Sequence, residues 1–223
     1  MKKRITILTL LSVSLLVYMS ATTPTKNETN QELPPSLEAI KKKSKFKNIK
    51  EFNLIKTIPC KFDGYQAMTW PEFNRLNLPK TAKKLLLQSS NNEFKEKFFY
   101  YHSFQENLNG NVGVVILSCI EGMGNELTCL VFSRMGEFLA IQNLAYTGAD
   151  MDMVWNLKGK LSTKGKYQFE YKKYLGTEDQ VCEWYKGAVK FGKNGKISHS
   201  DTTYRVKEDP NIPCYEKKFK KKN

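Results

Sequence analysis

Two histidines in 223 residues, His102 and His199, leave little material for acid–base catalysis or a nitrogen-ligated metal. His102 stands in FYYHSF in step with Phe98, Tyr100 and Phe104, and His199 in ISHSD in step with Ile197, so both read as strand histidines. Ser200 and Asp201 follow His199, but adjacent strand residues point to opposite faces, and Ser200 shares no site with it. The chain lacks a nucleophile elbow, a paired-histidine helix motif, a phosphate-binding loop and a dinucleotide fingerprint. Cys119, Cys129 and Cys182 show no zinc-type spacing. Asp150 and Asp152 are spaced like calcium ligands, yet Thr147 and backbone carbonyls are a thin supplement where six or more oxygens are needed. No enzyme activity, catalytic residue, cofactor or metal is expected.

Acids are scarce as well, with 22 Asp and Glu against 36 Lys and Arg. Beyond the first two dozen residues no long apolar run occurs, so any membrane-directed segment is the opening one. Lys2, Lys3 and Arg4 precede an apolar run from Ile5 to Met19, and the small residues Ser20 and Ala21 close it. That order is a signal peptide over 1–21, too short in its apolar part for an ordinary spanning helix. The predicted location is periplasmic or secreted; the alternative is an inner-membrane anchor formed by the uncleaved leader. Without the leader's three positive charges the net charge is +11. In an exported protein this excess suits an anionic lipid or wall polymer, and nucleic acid is not an expected partner. Five cysteines leave at least one unpaired within a chain. Cys60 with Cys214 would tie the ends of the folded body together, and Cys119 with Cys129 would face each other across a hairpin centred on Gly124.

Residues 22–60 read as a polar linker carrying a candidate helix, with Leu37, Ile40, Phe46 and Ile49 as its loose stripe and Ser36 as its cap. A single β-rich domain is predicted over 61–208, and a basic tail over 209–223. Two short helical pieces lead the domain, one capped by Thr69 with Pro71 in its first turn, the next starting at Pro79 with Ala82, Leu85 and Leu86 inward. Trp70 and Phe73 are expected to pack on the following sheet. From Phe98 the pattern changes to strands. ENLNGNVGV, FSRMGEFLA, LSTKGKYQF and FGKNGKI each carry one Gly at a tight reversal: Gly110, Gly136, Gly165 and Gly195. Longer polar breaks at 121–126, 146–152 and 175–180 alternate with them, at a spacing of one strand and one turn. This predicts an α+β, β-dominated fold: leading helices, then an up-and-down antiparallel meander of about eight strands, with a curled sheet or barrel as the alternative. In KYQFEYKKY, Tyr167, Phe169 and Tyr171 alternate with Gln168, Glu170 and Lys172, giving one dry face and one wet face. VGVVILSCI and LTCLVF are apolar on both faces and should be central, covered on one side by the helices.

In a meander, successive reversals fall at opposite ends. The three breaks carry Glu121, Glu126, Asp150, Asp152, Glu178 and Asp179, while the tight reversals carry Arg134, Lys164, Lys166, Lys193 and Lys196 against Glu137 alone. An acidic binding rim at one end is therefore predicted. In the tail, Lys217, Lys218, Lys220, Lys221 and Lys222 are candidates for an electrostatic membrane tether.

The leader, LPKTAKKLLL, YHSFQENLNGNVGVVILSC and the closing VKFGKNGKI together resemble uncharacterised secreted β-meander proteins of the Gram-negative bacterial envelope. The resemblance covers 65–206 and rests on turn chemistry. It implies envelope exposure and a β-rich fold, with no catalytic residues to carry over. Many of those proteins bear a lipidated Cys after the leader, which this chain lacks. Two functions follow: a protein-interaction module, immunity-like and using the acidic rim for a protein partner, or a structural component held to an anionic envelope surface. Any small-molecule ligand is left unspecified.

Overall fold

The computed structural model describes residues 32–54, 62–87, 97–120, 124–150, 153–162, 164–175, 181–206 and 215–217. Pro34 and Pro35 open helix α1 (Pro35–Lys43), because a proline's fixed φ and missing N–H cost nothing in a first turn. Leu37 and Ile40 are its buried residues. The helix is shorter than the apolar stripe suggested and is not capped by Ser36. Ser44 ends it, with its N–H and Oγ both donating to the Ile40 carbonyl at 2.9 Å. Phe46–Lys47 then forms strand β1 and Glu51–Phe52 strand β2. Asn48 between them has φ 49°, which no helix accepts.

After β3 (Gln66–Ala67), Thr69 caps α2 (Trp70–Arg75) in a capping box: Glu72 N–H donates to Thr69 Oγ1, and Thr69 N–H to the Glu72 carboxylate at 2.8 Å. Lys43 also donates to Glu72, linking α1 to α2. This contact, with the Thr69 bond, holds the Glu72 carboxyl at a pKa of about 2. Pro79 precedes α3 (Lys80–Leu87), which buries Ala82 and Leu86 and leaves Leu85 half-buried. Phe73 stacks on Phe99 of the sheet at 5.1 Å, whereas Trp70 lies on Phe73 and stays 42% exposed.

Eight long strands follow: β4 (Lys97–Leu108), β5 (Asn111–Ile120), β6 (Gly124–Phe132), β7 (Phe138–Asp150), β8 (Met153–Leu161), β9 (Lys166–Leu175), β10 (Val181–Phe191) and β11 (Ile197–Val206). Each pairs antiparallel with the next, as the alternation of tight reversals and breaks predicts. A short β12 (Tyr215–Lys217) adds to β11, and β1 pairs parallel with the free side of β4. The sheet therefore has two edges and does not close into a barrel. The β7–β8 pairing ends at Tyr146 and Leu157, and further along β8, at Gly159 and Lys160, β2 takes the neighbouring place.

The four predicted reversal glycines all have positive φ, between 70° and 91°. Their end of the sheet is drawn together. Asn109 Nδ2 donates to the Phe191 carbonyl at 2.7 Å, Asn111 Nδ2 to the Gly192 carbonyl at 3.0 Å, and Phe191 N–H to the Gly165 carbonyl at 2.9 Å. Three hairpins meet there. The fourth joins where Gly195 packs on Leu139 so closely that a Cβ would lie 2.3 Å from the leucine Cβ.

That curl explains why β5 and β6 are apolar on both faces. One face, with Val114, Ile116, Leu130 and Phe132, packs with Leu37, Ile40, Phe73 and Leu86 of the helices. The other, with Val115, Leu117, Leu127 and Val131, packs with Tyr167, Val189 and Phe191 from the far half of the same sheet and with Phe52. At about 1.5–3 kcal/mol for each large apolar side chain buried, these two cores supply the main driving force for folding. The hydroxyl of Tyr167, otherwise stranded in the second core, donates to the Leu144 carbonyl.

Candidate functional site

The breaks between β5 and β6, β7 and β8, and β9 and β10 all leave the sheet opposite the tight reversals, so the topology required by the acidic rim is present. The rim residues themselves are only partly described. Glu121, Asp152, Glu178 and Asp179 lie outside the described residues, and Asp150 is placed by its backbone alone, opposite Met153. Glu126 is not on a loop: it is half-buried within β6, opposite Ser118 and Tyr146, and accepts a hydrogen bond from Ser118 Oγ at 3.5 Å. Of the lysine tail, Lys217 ends β12 beside β11, while Lys218, Lys220, Lys221 and Lys222 lie outside the described residues.

The cysteines require a correction. The β5–β6 hairpin is centred two residues earlier than Gly124, so Cys119 faces Asn125 and Cys129 faces Val115. They cannot pair. Cys129 is a free thiol, fully buried, and burial pushes its pKa up to about 12. Cys119 is disulfide-bonded, and with Cys129 free its partner is one of Cys60, Cys182 and Cys214. The Cys60–Cys214 pairing falls on residues outside the described ones.

His102 also departs from the expected alternation. The register of β4 against β5 shifts between Tyr101 and Ser103, making His102 a bulged residue. Phe104 thereby joins Phe99 and Tyr101 in the helix-side core, instead of sharing a face with Phe98 and Tyr100. The imidazole is buried, with Nδ1 3.1 Å from Ser103 Oγ and the ring stacked on Tyr65 at 5.6 Å. Burial, aided by the nearby Lys45 ammonium, lowers its pKa to about 4, leaving it neutral near pH 7. His199 is exposed on β11, opposite Val189, while Ser200 is registered with Ala188. Among the described residues no three metal-ligating side chains are grouped.

The arrangement that strand-by-strand reading missed is the outer face of β8–β11. The dry partners on these strands, Leu161, Tyr167, Tyr171, Val189 and Phe191, turn to the interior. The alternate positions then line up outward in register. One row runs Asn156, Lys172 and Trp184; the next runs Lys158, Glu170 and Lys186; a third joins Lys160, Gln168 and Ala188; Lys166 faces Lys190 beyond it. Among the described side chains these strands place six lysines and one acid, Glu170, on this face, and at its margin Lys160 meets Glu51 of β2 at 2.8 Å.

Glu170 lies at the centre. Its carboxylate accepts from Trp184 Nε1 at 2.9 Å and meets Lys158 at 3.6 Å, Lys186 at 3.4 Å and Lys172 at 3.9 Å. Partial burial raises its pKa, but the indole bond and the lysines outweigh that and the net shift is downward. One negative charge thus gathers three positive ones, leaving a net positive surface. The Lys186 ammonium also lies 5.2 Å from the Trp184 ring centroid, within cation–π range. The signal was present in the sequence as the wet half of NLKGKL, KYQFEYKK and WYKGAVK, but it becomes a patch only when the register places those halves side by side.

No protein-family model, curated protein or solved structure matches this chain.

Proposed function

We propose that this protein is an exported, non-enzymatic binding module that docks on an anionic surface of the cell envelope through the outer face of β8–β11. The observation that carries this reading is the ordered lysine array, six lysines offset by Glu170 within it and by Glu51 at its margin. Such a face acts over roughly 10 Å at moderate salt, so it recruits a polyanion by summed attraction without a deep cleft. A protein partner at the acidic end is supported less well, since Glu126 sits half-buried between strands.

The test is retention on an anionic matrix across a salt gradient. The wild-type protein should elute at higher salt than a Lys158→Ala, Lys172→Ala, Lys186→Ala variant, whereas Glu126→Gln should elute with the wild type. Equal elution of the triple variant and the wild type would refute the assignment of this face.

A further inference from the structure

Resting on the basic-face reading, we infer that the ligand is an acidic polysaccharide and that Trp184 is the platform on which one of its sugar rings stacks. Three observations converge. First, the indole is held in place: its Nε1 donates to Glu170 at 2.9 Å, and the same carboxylate holds Lys158, Lys172 and Lys186 within 3.9 Å. A half-buried aromatic ring with its one polar atom bonded is held in a fixed orientation, here with the Lys186 ammonium 5.2 Å from its centroid. Second, the Lys186 ammonium lies over that ring, and Lys172 is its direct cross-strand neighbour. A sugar bearing a carboxylate, sulfate or phosphate offers the complement, an apolar C–H face for the indole and an anion for the lysines. The flanking Asn156 and Gln168 supply partners for hydroxyls. Third, apart from Trp184 the described side chains of this face include no exposed large apolar group that would enter a bilayer. The large apolar side chains exposed among the described residues, Phe46, Trp70, Phe98 and Met135, all lie on other parts of the chain. A lipid headgroup would be met chiefly by the lysine charges. The apolar leader directs the chain away from cytoplasmic nucleic acid.

The experiment measures binding of the leader-free chain to polygalacturonate, neutral dextran, phosphatidylglycerol vesicles and oligodeoxythymidylate by titration at fixed ionic strength. Polygalacturonate should bind and dextran should not. Trp184→Ala should weaken polygalacturonate binding about tenfold, the scale of one aromatic stacking contact, while vesicle binding stays as in the wild type. Trp184→Phe keeps a ring and should recover most of the loss, which separates stacking from misfolding. The Lys158/Lys172/Lys186 triple alanine variant should lose both polygalacturonate and vesicle binding. If the lysine variant loses binding but Trp184→Ala does not, the stacking inference falls while the basic-face function stands. Binding of vesicles or oligodeoxythymidylate in preference to polygalacturonate overturns the ligand class. An unaffected lysine variant overturns the functional reading itself.

Discussion

Replacing Gly195 by alanine probes the closure of the tight-reversal end, where the curl of the sheet is set. Two costs add at this position. The backbone φ is +74°, a region in which a Cβ clashes with its own carbonyl by about 1–2 kcal/mol. The new Cβ would also lie 2.3 Å from the Leu139 Cβ and 3.1 Å from its Cγ, so the β6–β7 and β10–β11 hairpins must move apart. Overpacking of this kind costs about 1–3 kcal/mol, for a total of about 2–5 kcal/mol. The internal control is Gly110→Ala, where φ is +91° but nothing lies within 4 Å of the added Cβ, and only the backbone cost of about 1–2 kcal/mol applies. Urea unfolding followed by circular dichroism reads both changes as midpoint shifts. In thermal melts the Gly195 variant should lose about 4–20 °C and the Gly110 variant about 2–8 °C. If the two variants are equally stable, the hairpins do not touch at Gly195 and the interlocked end described above is wrong.

Cys129, free and buried, should resist a thiol reagent in the native protein and react once the chain is unfolded in denaturant; reaction at equal rates in both states would contradict its burial. Cys119 should appear as a disulfide in a non-reducing peptide map; recovery of Cys119 as a free thiol would contradict its bonded state. His102 makes stability depend on acid in a defined window. Its pKa falls from 6.5 to about 4 on folding, so the unfolded chain binds the proton more readily. The contribution is full above pH 6.5, declines as pH falls, and is lost below about 4, with a span of about 3 kcal/mol. Denaturant titrations at pH 7 and pH 4 should differ less for His102→Asn than for the wild type; an identical pH dependence would exclude His102 as the cause.

Several features were legible because they are local. A glycine at a tight reversal answers a backbone requirement that no neighbour has to supply, so Gly110, Gly136, Gly165 and Gly195 announced the hairpins and, by their spacing, the meander. Thr69 and Pro71 announced the start of α2 for the same reason, since a cap and a first-turn proline act within a few residues, and the structure adds Glu72 to complete a capping box. The double apolar pattern of β5 and β6 foretold burial on both sides, but not that the second cover would be the sheet's own far half. Shifts of register were the chief source of error. The bulge at His102 moved Phe104 to the other face, and a hairpin centre displaced by two residues separated Cys119 from Cys129. Neither shift leaves a mark in composition, because a bulge is decided by which pairing buries more apolar surface.

By itself, then, the order of residues determined the class of fold, the sites of chain reversal and the strands that run through the centre, all of them consequences of short-range sterics and side-chain alternation. The tertiary structure alone decided which side chains became neighbours. Lys158, Lys172 and Lys186 come from three different strands and surround Glu170 only through cross-strand register, and the four reversals meet only because the sheet curls. Long-range pairing is chosen by the burial of two cores and the shape of the whole sheet, a sum over the entire chain that no single segment records.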